Sequence, residues 1–457
     1  MISEQKTVYC VLHILCSSLI IMYRTKLEAL KKRKESSFRK PLIIYGARQV
    51  GKTWLMQEFG RQNYEKVAYI SCQDDPKIQH IFEEGFDIPK IIQALKIATW
   101  IDIDEETLII LDEVQEAPRA ITSLKYFCEK APQYHIMVAG SLLWVALHPW
   151  ISFPVGKVDM LTLHPMSFFE FFRAVEGNDQ MLELLTAKNC DFQMIHVFKS
   201  KCIELLKLYY FIGGMPWVVQ TYIDTKSFNQ VRQVQKDILN NYQVDFSKHA
   251  PTHLVPRMNL ARKSIPTQLS KENKKFIYGL IREWARAKDF ELALAWLEDA
   301  NLIRKITRVN SANMPLVAYQ DFNIFKVYFL DIWLLSAMAD LEESVILEQN
   351  KIFKEFKGAL TEQFVLQELQ NKADFPIFYW SQDDSMAEID FIIQIDGKVI
   401  PIEVKAEENL QSKSLKTFAK KYPEIKKSVR TSMSDFRDEW WLVNIPLYLI
   451  SQIEKWM

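Results

Sequence analysis

Lys40-Pro41-Leu42-Ile43-Ile44-Tyr45-Gly46-Ala47-Arg48-Gln49-Val50-Gly51-Lys52-Thr53-Trp54 runs a short apolar segment straight into glycine and then into a Gly-Lys-Thr triplet. Four apolar residues in a row read as a strand buried on both faces, as in a parallel sheet. The eight residues after it, Gly46, Ala47, Arg48, Gln49, Val50, Gly51, Lys52 and Thr53, fit the pattern GxxxxGK[ST] between a strand and a helix. The spacing has a physical reason. Glycines let successive N–H groups turn toward a polyphosphate, and the helix that follows presents its positive end. Lys52 reaches the β and γ phosphates, and the Thr53 hydroxyl is placed to ligate Mg²⁺.

Further apolar runs lie at Val67 to Ser71, Leu108 to Leu111 and Ile136 to Ala139, each separated by enough chain for a crossover helix. The third ends in Asp112-Glu113, which assigns Asp112 to Mg²⁺ and Glu113 to the attacking water. The fourth ends in Gly140-Ser141, and Ser141 is either a sensor of the γ-phosphate or an ordinary helix cap. Arg257, Arg262, Arg282 and Arg286 are arginine-finger candidates among which the sequence does not choose.

The 457 residues are too many for one core and predict two to four domains. Lys and Arg total 57 and Asp and Glu total 57, so any affinity for nucleic acid or membrane comes from local patches, not a global field. Six cysteines without a CxxC pair exclude a disulfide scaffold or zinc ribbon and fit a reducing cytoplasm. Val8 to Tyr23 is apolar but short and holds a histidine and two serines. It reads as an extension or a mis-set start, with Met22 as a plausible beginning, and no stable membrane insertion is expected.

From Ser167 the pattern turns helical, broken at Gly213-Gly214-Met215-Pro216. Helices at Lys274 to Ala285 and Phe290 to Ala300, then strands at Ile303 to Val309 and Leu316 to Tyr319, suit a small winged-helix-like module. Further on, a helix at Ala359 to Asn371 precedes strands Ile377 to Trp380, Glu388 to Ile395 and Val399 to Val404, with a hairpin turn at Asp396-Gly397-Lys398. Glu403 and Lys405 share a face, and the hairpin can bring them to Asp390. Glu362, on the preceding helix, adds a possible fourth group. Carboxylates converging with an amine can bind Mg²⁺ and activate water. The basic stretch Lys413, Lys416, Lys420, Lys421, Lys426, Lys427 and Arg430 can track a nucleic-acid backbone, or it can be a solvated helix face.

These residues together resemble the prokaryotic AAA-type ATPases whose C-terminal domain of unknown function has the restriction-endonuclease-like PD-(D/E)xK fold. The likeness runs from Met22 to the end, through KPLIIYGARQVGKTW, TLIILDEVQ, AGSLL, GGMP, DFSKHAP, FKVYFLD, GALTEQFV, EIDFII and IPIEVKAEEN. With the patterning above, an α/β fold in five parts is expected: 1–23, an extension; 24–166, a P-loop parallel-sheet AAA-type ATPase domain; 167–263, a helical lid or linker; 264–345, the winged-helix-like module; and 346–457, the nuclease-like domain. By resemblance, Lys52, Thr53, Asp112 and Glu113 match nucleotide-site positions. Glu362, Asp390, Glu403 and Lys405 match nuclease positions, with Glu362, Asp390 and Glu403 as metal ligands and Asp390, Glu403 and Lys405 as catalytic groups. ATP and Mg²⁺ are the implied cofactors. The expected partner is nucleic acid, DNA ahead of RNA, or a protein, with an oligomer possible. The alternative is a nucleotide-switched binding protein whose nuclease-like domain does not cut. Trp144 and Trp333 stand where the family pattern has glycine, and Trp217 where a smaller or acidic residue is usual.

Overall fold

The computed structural model describes residues 22–457, apart from 75, 84, 142–152, 188–191, 348–353, 373–374, 383–386 and 408–410. Residues 1–21 of the expected extension, and Trp144, lie outside the described residues.

A five-stranded parallel sheet follows the opening motif: β1 (Leu42–Tyr45), β2 (Lys66–Ser71), β3 (Thr107–Asp112), β4 (His135–Gly140) and β5 (Asp159–Thr162), in the order β2-β3-β4-β1-β5. The unbroken apolar runs have a structural reason. Leu42 and Ile44, Leu108 and Ile110, and Met137 and Ala139 enter one core, while Ile43, Ile109, Leu111, Ile136 and Val138 enter another. Alternate residues point to opposite faces, and helices cover both. Because β1 lies between β4 and β5, and β4 separates it from β3, the loops after β1, β3 and β4 open at one edge of the sheet.

A helical region follows, from Phe168–Glu176 to Val255–Leu269, with the 22-residue helix Phe228–His249 as its longest member. Among the described residues no single helix is long and apolar enough to cross a membrane.

The second sheet has eight strands: β6 (Ile303–Val309), β7 (Gln320–Phe329), β8 (Ile377–Ser381), β9 (Glu388–Ile395), β10 (Lys398–Val404), β11 (Ser428–Ser432), β12 (Arg437–Glu439) and β13 (Leu442–Pro446). Their order is β12-β13-β11-β10-β9-β8-β6-β7. The expected hairpin is present: β9 and β10 pair antiparallel through a turn in which Asp396 and Gly397 both have positive φ.

Sheet pairing crosses the boundary expected at 345/346. β6 pairs parallel with β8, Arg308 opposite Tyr379 and Val309 opposite Trp380, and antiparallel with β7, so the strand expected at Ile303 to Val309 and the later-starting β7 share a sheet with the C-terminal strands. Two element readings change with it. Lys274 to Ala285 holds only a 3₁₀ turn at Tyr278–Leu280, because tertiary hydrogen bonds take up its backbone. The Phe276 N–H donates to the Phe325 carbonyl, and the Gln268 amide bonds both the N–H and the C=O of Ile277. Leu316–Tyr319 is likewise a 3₁₀ turn following Pro315, which has no N–H to give a ladder, and the strand starts at Gln320.

Candidate functional site

The loop between β1 and the helix Lys52–Asn63 is shaped by its glycines. A Cβ on Gly46, at φ +153°, would stand 2.2 Å from the Leu163 carbonyl oxygen, and Gly51 has φ +92°. No other residue fits the first position without moving β5's exit. Lys52 is buried, and its Nζ donates to the carbonyls of Gly46 at 3.0 Å and Ala47 at 2.9 Å, closing the loop on itself. Burial lowers its pKa to about 8, against the upward pull of Glu113 and Asp112.

At the end of β3, the Thr53 hydroxyl donates to Asp112 Oδ2 at 2.5 Å, and the Tyr69 hydroxyl donates to the same oxygen at 3.2 Å. Burial raises the Asp112 pKa, and these hydrogen bonds oppose the shift. The next residue, Glu113, has φ +48°, and its carboxylate accepts from Gln115 Nε2 at 2.5 Å. Ser141 is buried, and its Oγ accepts from Arg48 Nε at 3.4 Å.

Two arginines hold this edge, and the sequence singled out neither as a charged group. Arg48 Nη1 donates to Asp245 Oδ1 at 2.5 Å, tying the loop to the helix Phe228–His249, whose Tyr242 hydroxyl donates to the Arg48 carbonyl at 3.1 Å. Arg24 is buried and donates to the Val50 carbonyl at 2.8 Å, the His164 carbonyl at 2.5 Å and Glu170 Oε2 at 3.1 Å. Its position ahead of β1 carries no motif. Arg24 and Arg48 line a cavity of about 530 Å³ together with Gln49, Gly51, Lys52, Thr53 and Glu113. None of Arg257, Arg262, Arg282 and Arg286 lines it.

The C-terminal constellation is built differently from its expectation. Among the described residues no three His, Cys, Asp or Glu side chains stand close enough to hold a metal ion. Lysines occupy the carboxylates instead. Lys274 pairs with Glu362 Oε1, the Tyr328 hydroxyl donates to Glu362 Oε2 at 3.0 Å, and the fully buried Lys326 pairs with Glu388 at 2.5 Å. Glu403 Oε1 is 3.0 Å from Lys405 Nζ, and Glu403 Oε2 is buried without a partner among the described residues. Asp390 accepts from the Val404 N–H at 2.8 Å. Burial, then the Glu362 charge, pushes its pKa to about 7, while Lys274 and Lys326 outweigh burial and hold Glu362 below the usual carboxylate range. As arranged here, the set Glu362, Asp390 and Glu403 does not fit a divalent cation.

Arg430 leaves the basic stretch: it is buried in β11, where its Nε donates to Asn444 Oδ1 at 2.9 Å. Lys427 pairs with Asp438, and Lys413, Lys416, Lys420, Lys421 and Lys426 are exposed. Trp333, where a smaller residue was expected, is fully buried against Gly213.

Residues 38–172 match an AAA domain. The parallel sheet and its loop lie within these residues, so this part of the chain is an AAA domain. Residues 203–345 match the domain of unknown function DUF8612, and residues 357–448 match the domain of unknown function DUF4143. The eight-stranded sheet spans both matches, with β6 and β7 in the first and β8 to β13 in the second. No curated protein matches the chain in sequence. Among solved structures it is similar to a Walker-type ATPase, PABY2304, of Pyrococcus abyssi, at 14% identity over 70% of this chain and 96% of that one, with a TM-score of 0.43. The Aeropyrum pernix ORC1 protein in complex with DNA is 14% identical over 69% and 90% of the two chains, with a TM-score of 0.27. PCH-2 of C. elegans is 14% identical over 51% and 62%, with a TM-score of 0.25.

Proposed function

We propose that the chain binds ATP, hydrolyses it with Mg²⁺, and uses the nucleotide state to control its C-terminal region. The single observation that carries this reading is the Thr53 to Asp112 hydrogen bond of 2.5 Å beneath the glycine loop, which sets a hydroxyl and a carboxylate together where a hard cation takes oxygen ligands. Bound there, Mg²⁺ would offset charge on the β and γ phosphates. The chain's own groups do the rest. Loop N–H groups orient the phosphates, Lys52 turns from the Gly46 and Ala47 carbonyls to the transferred group, and Glu113, released from Gln115, orients the attacking water.

The restriction-endonuclease-like fold for the C-terminal sheet, and its engagement with DNA, RNA or a protein in the cytoplasm, belong to the same proposal. The lysines on Glu362 and Glu403 favour the binding reading over the cutting one, because an ammonium already neutralises each of these carboxylates. The exposed lysines from Lys413 to Lys426 supply a surface suited to a phosphate backbone. The exposed Arg282 and Arg286 lie off this cavity, so as fingers they would have to serve a second copy's site.

Phosphate release from ATP, measured with Mg²⁺ alone and with single-stranded DNA, duplex DNA or RNA, tests the reading. Turnover that falls about 100-fold or more in Glu113→Gln, with ATP binding kept, supports it. A chain that neither binds nor hydrolyses ATP sinks it. Mg²⁺-dependent cutting of any of the three nucleic acids, lost in Asp390→Ala, would restore the nuclease over the binding domain.

A further inference from the structure

The cavity beside Gly51 has a lining of two kinds. Lys52, Thr53 and Glu113 bring charge and a hydroxyl, whereas Met22, Trp54, Pro216 and Trp217 bring apolar and aromatic surface. A polyphosphate alone needs only the first kind. A nucleoside triphosphate has use for both, since its base offers a flat face to an aromatic ring.

Trp217 stands in the first turn of the helix Pro216–Thr225, next to a proline whose Cγ lies 3.4 Å from the point a Gly51 Cβ would occupy. The helix therefore begins against the phosphate loop. Of the Trp217 surface, 46% remains exposed. Three residues on, and so on the same helix face, Gln220 also lines the cavity and is only 8% exposed. Its Nε2 donates to Asp224 Oδ1 at 2.7 Å. A carboxylate only accepts, so this bond orients the amide and leaves the carbonyl as the uncommitted end. Gln220 Oε1 has no hydrogen-bond partner among the described residues. A buried acceptor without a donor is costly, and a ligand N–H relieves that cost.

We propose that Trp217 stacks on the base of the bound nucleotide and that Gln220 Oε1 accepts from the exocyclic amine of adenine, making the site selective for adenine over a base with a carbonyl there. This rests on the reading that a nucleoside triphosphate occupies the glycine loop. Where adenine donates, hypoxanthine and guanine present an oxygen, which would face Gln220 Oε1 as a second acceptor.

Equilibrium binding of ATP, inosine triphosphate and inorganic tripolyphosphate to the full chain tests the inference. The wild type is expected to hold ATP about tenfold more tightly than inosine triphosphate, and Gln220→Leu to bring that ratio close to one. Trp217→Ala is expected to weaken both nucleotides about tenfold, with Trp217→Phe regaining most of the loss and tripolyphosphate binding unchanged in all three variants. Equal wild-type affinity for ATP and inosine triphosphate, or wild-type affinities in Trp217→Ala, would overturn the base site and leave the phosphate site standing. Failure of the wild type to bind any of the three ligands would overturn the nucleotide reading itself, and the base site with it.

Discussion

Lys52 shows what one buried charge does to binding. Desolvation lowers its pKa to about 8 in the free chain, and a triphosphate would stabilise the ammonium and raise it. Binding above about pH 8 must therefore take up a proton, so nucleotide affinity is expected to fall as pH rises past that point. Calorimetry in buffers of different ionisation enthalpy reads the uptake directly, and a flat affinity from about pH 7 to about pH 9 would refute it. Asp331 works on stability instead. It is buried, accepts from the Gly214 N–H at 2.9 Å, and has its pKa raised by burial to about 7 from 3.8. Between those values the folded state keeps a proton that the unfolded chain has lost, so stability declines as pH climbs toward 7 and the decline ends above it. Each pH unit within that window is worth at most about 1.4 kcal/mol. Glu368, raised to about 8 by burial, acts in the same direction. Asp331→Asn is expected to shrink the fall in thermal midpoint between about pH 5 and about pH 8, and an unchanged pH profile would count against it. Lys52 was legible because its motif is local. Asp331 was not, since its burial comes from chain far away in sequence.

Between residue and fold, the Gly213-Gly214 break does more than end a helix. Gly213, at φ +75°, faces Trp333 Cδ1 at 2.5 Å and Asp331 Oδ1 at 2.6 Å from where a Cβ would be. The adjoining Gly214 N–H bonds Asp331, and Gln367 Nε2 reaches Asp331 Oδ1 at 3.3 Å, so the helix Lys354–Lys372 holds the turn that places Pro216 and Trp217. Gly213→Ala is therefore expected to cost about 3 kcal/mol in urea unfolding, and a midpoint equal to the wild type would show that this packing is slack. Elements with a strict local signature were readable: β1, β3, β4 and the β9–β10 hairpin stand where the sequence put them. The helix expected at Lys274 to Ala285 is absent because Gln268 and β7 compete for the same backbone groups. Propensity is a weak preference that such tertiary bonds override.

One core runs from the parallel sheet through the helices into the eight-stranded sheet, joining Leu42 and Phe59 to Phe168, Tyr209, Phe364 and Val443. Cutting the chain at the expected 345/346 boundary would strip β8 of its partner β6 and leave Glu362 without Lys274. A fragment of residues 346–457 is thus expected to give no cooperative thermal transition on its own, whereas a sharp transition in that fragment would show that the sheet tolerates the missing strands. The sequence by itself determined the glycine loop, the Asp112-Glu113 pair at the end of β3 and the parallel sheet that presents them, because each rests on short-range spacing and on alternation along a strand. Only the tertiary structure decided which strands share the second sheet, which lysines neutralise Glu362 and Glu388, and that Arg24 and Trp217 reach the cavity beside the glycine loop. Those contacts join residues tens of positions to well over a hundred apart, and pairing at that distance depends on how whole faces pack rather than on any local pattern.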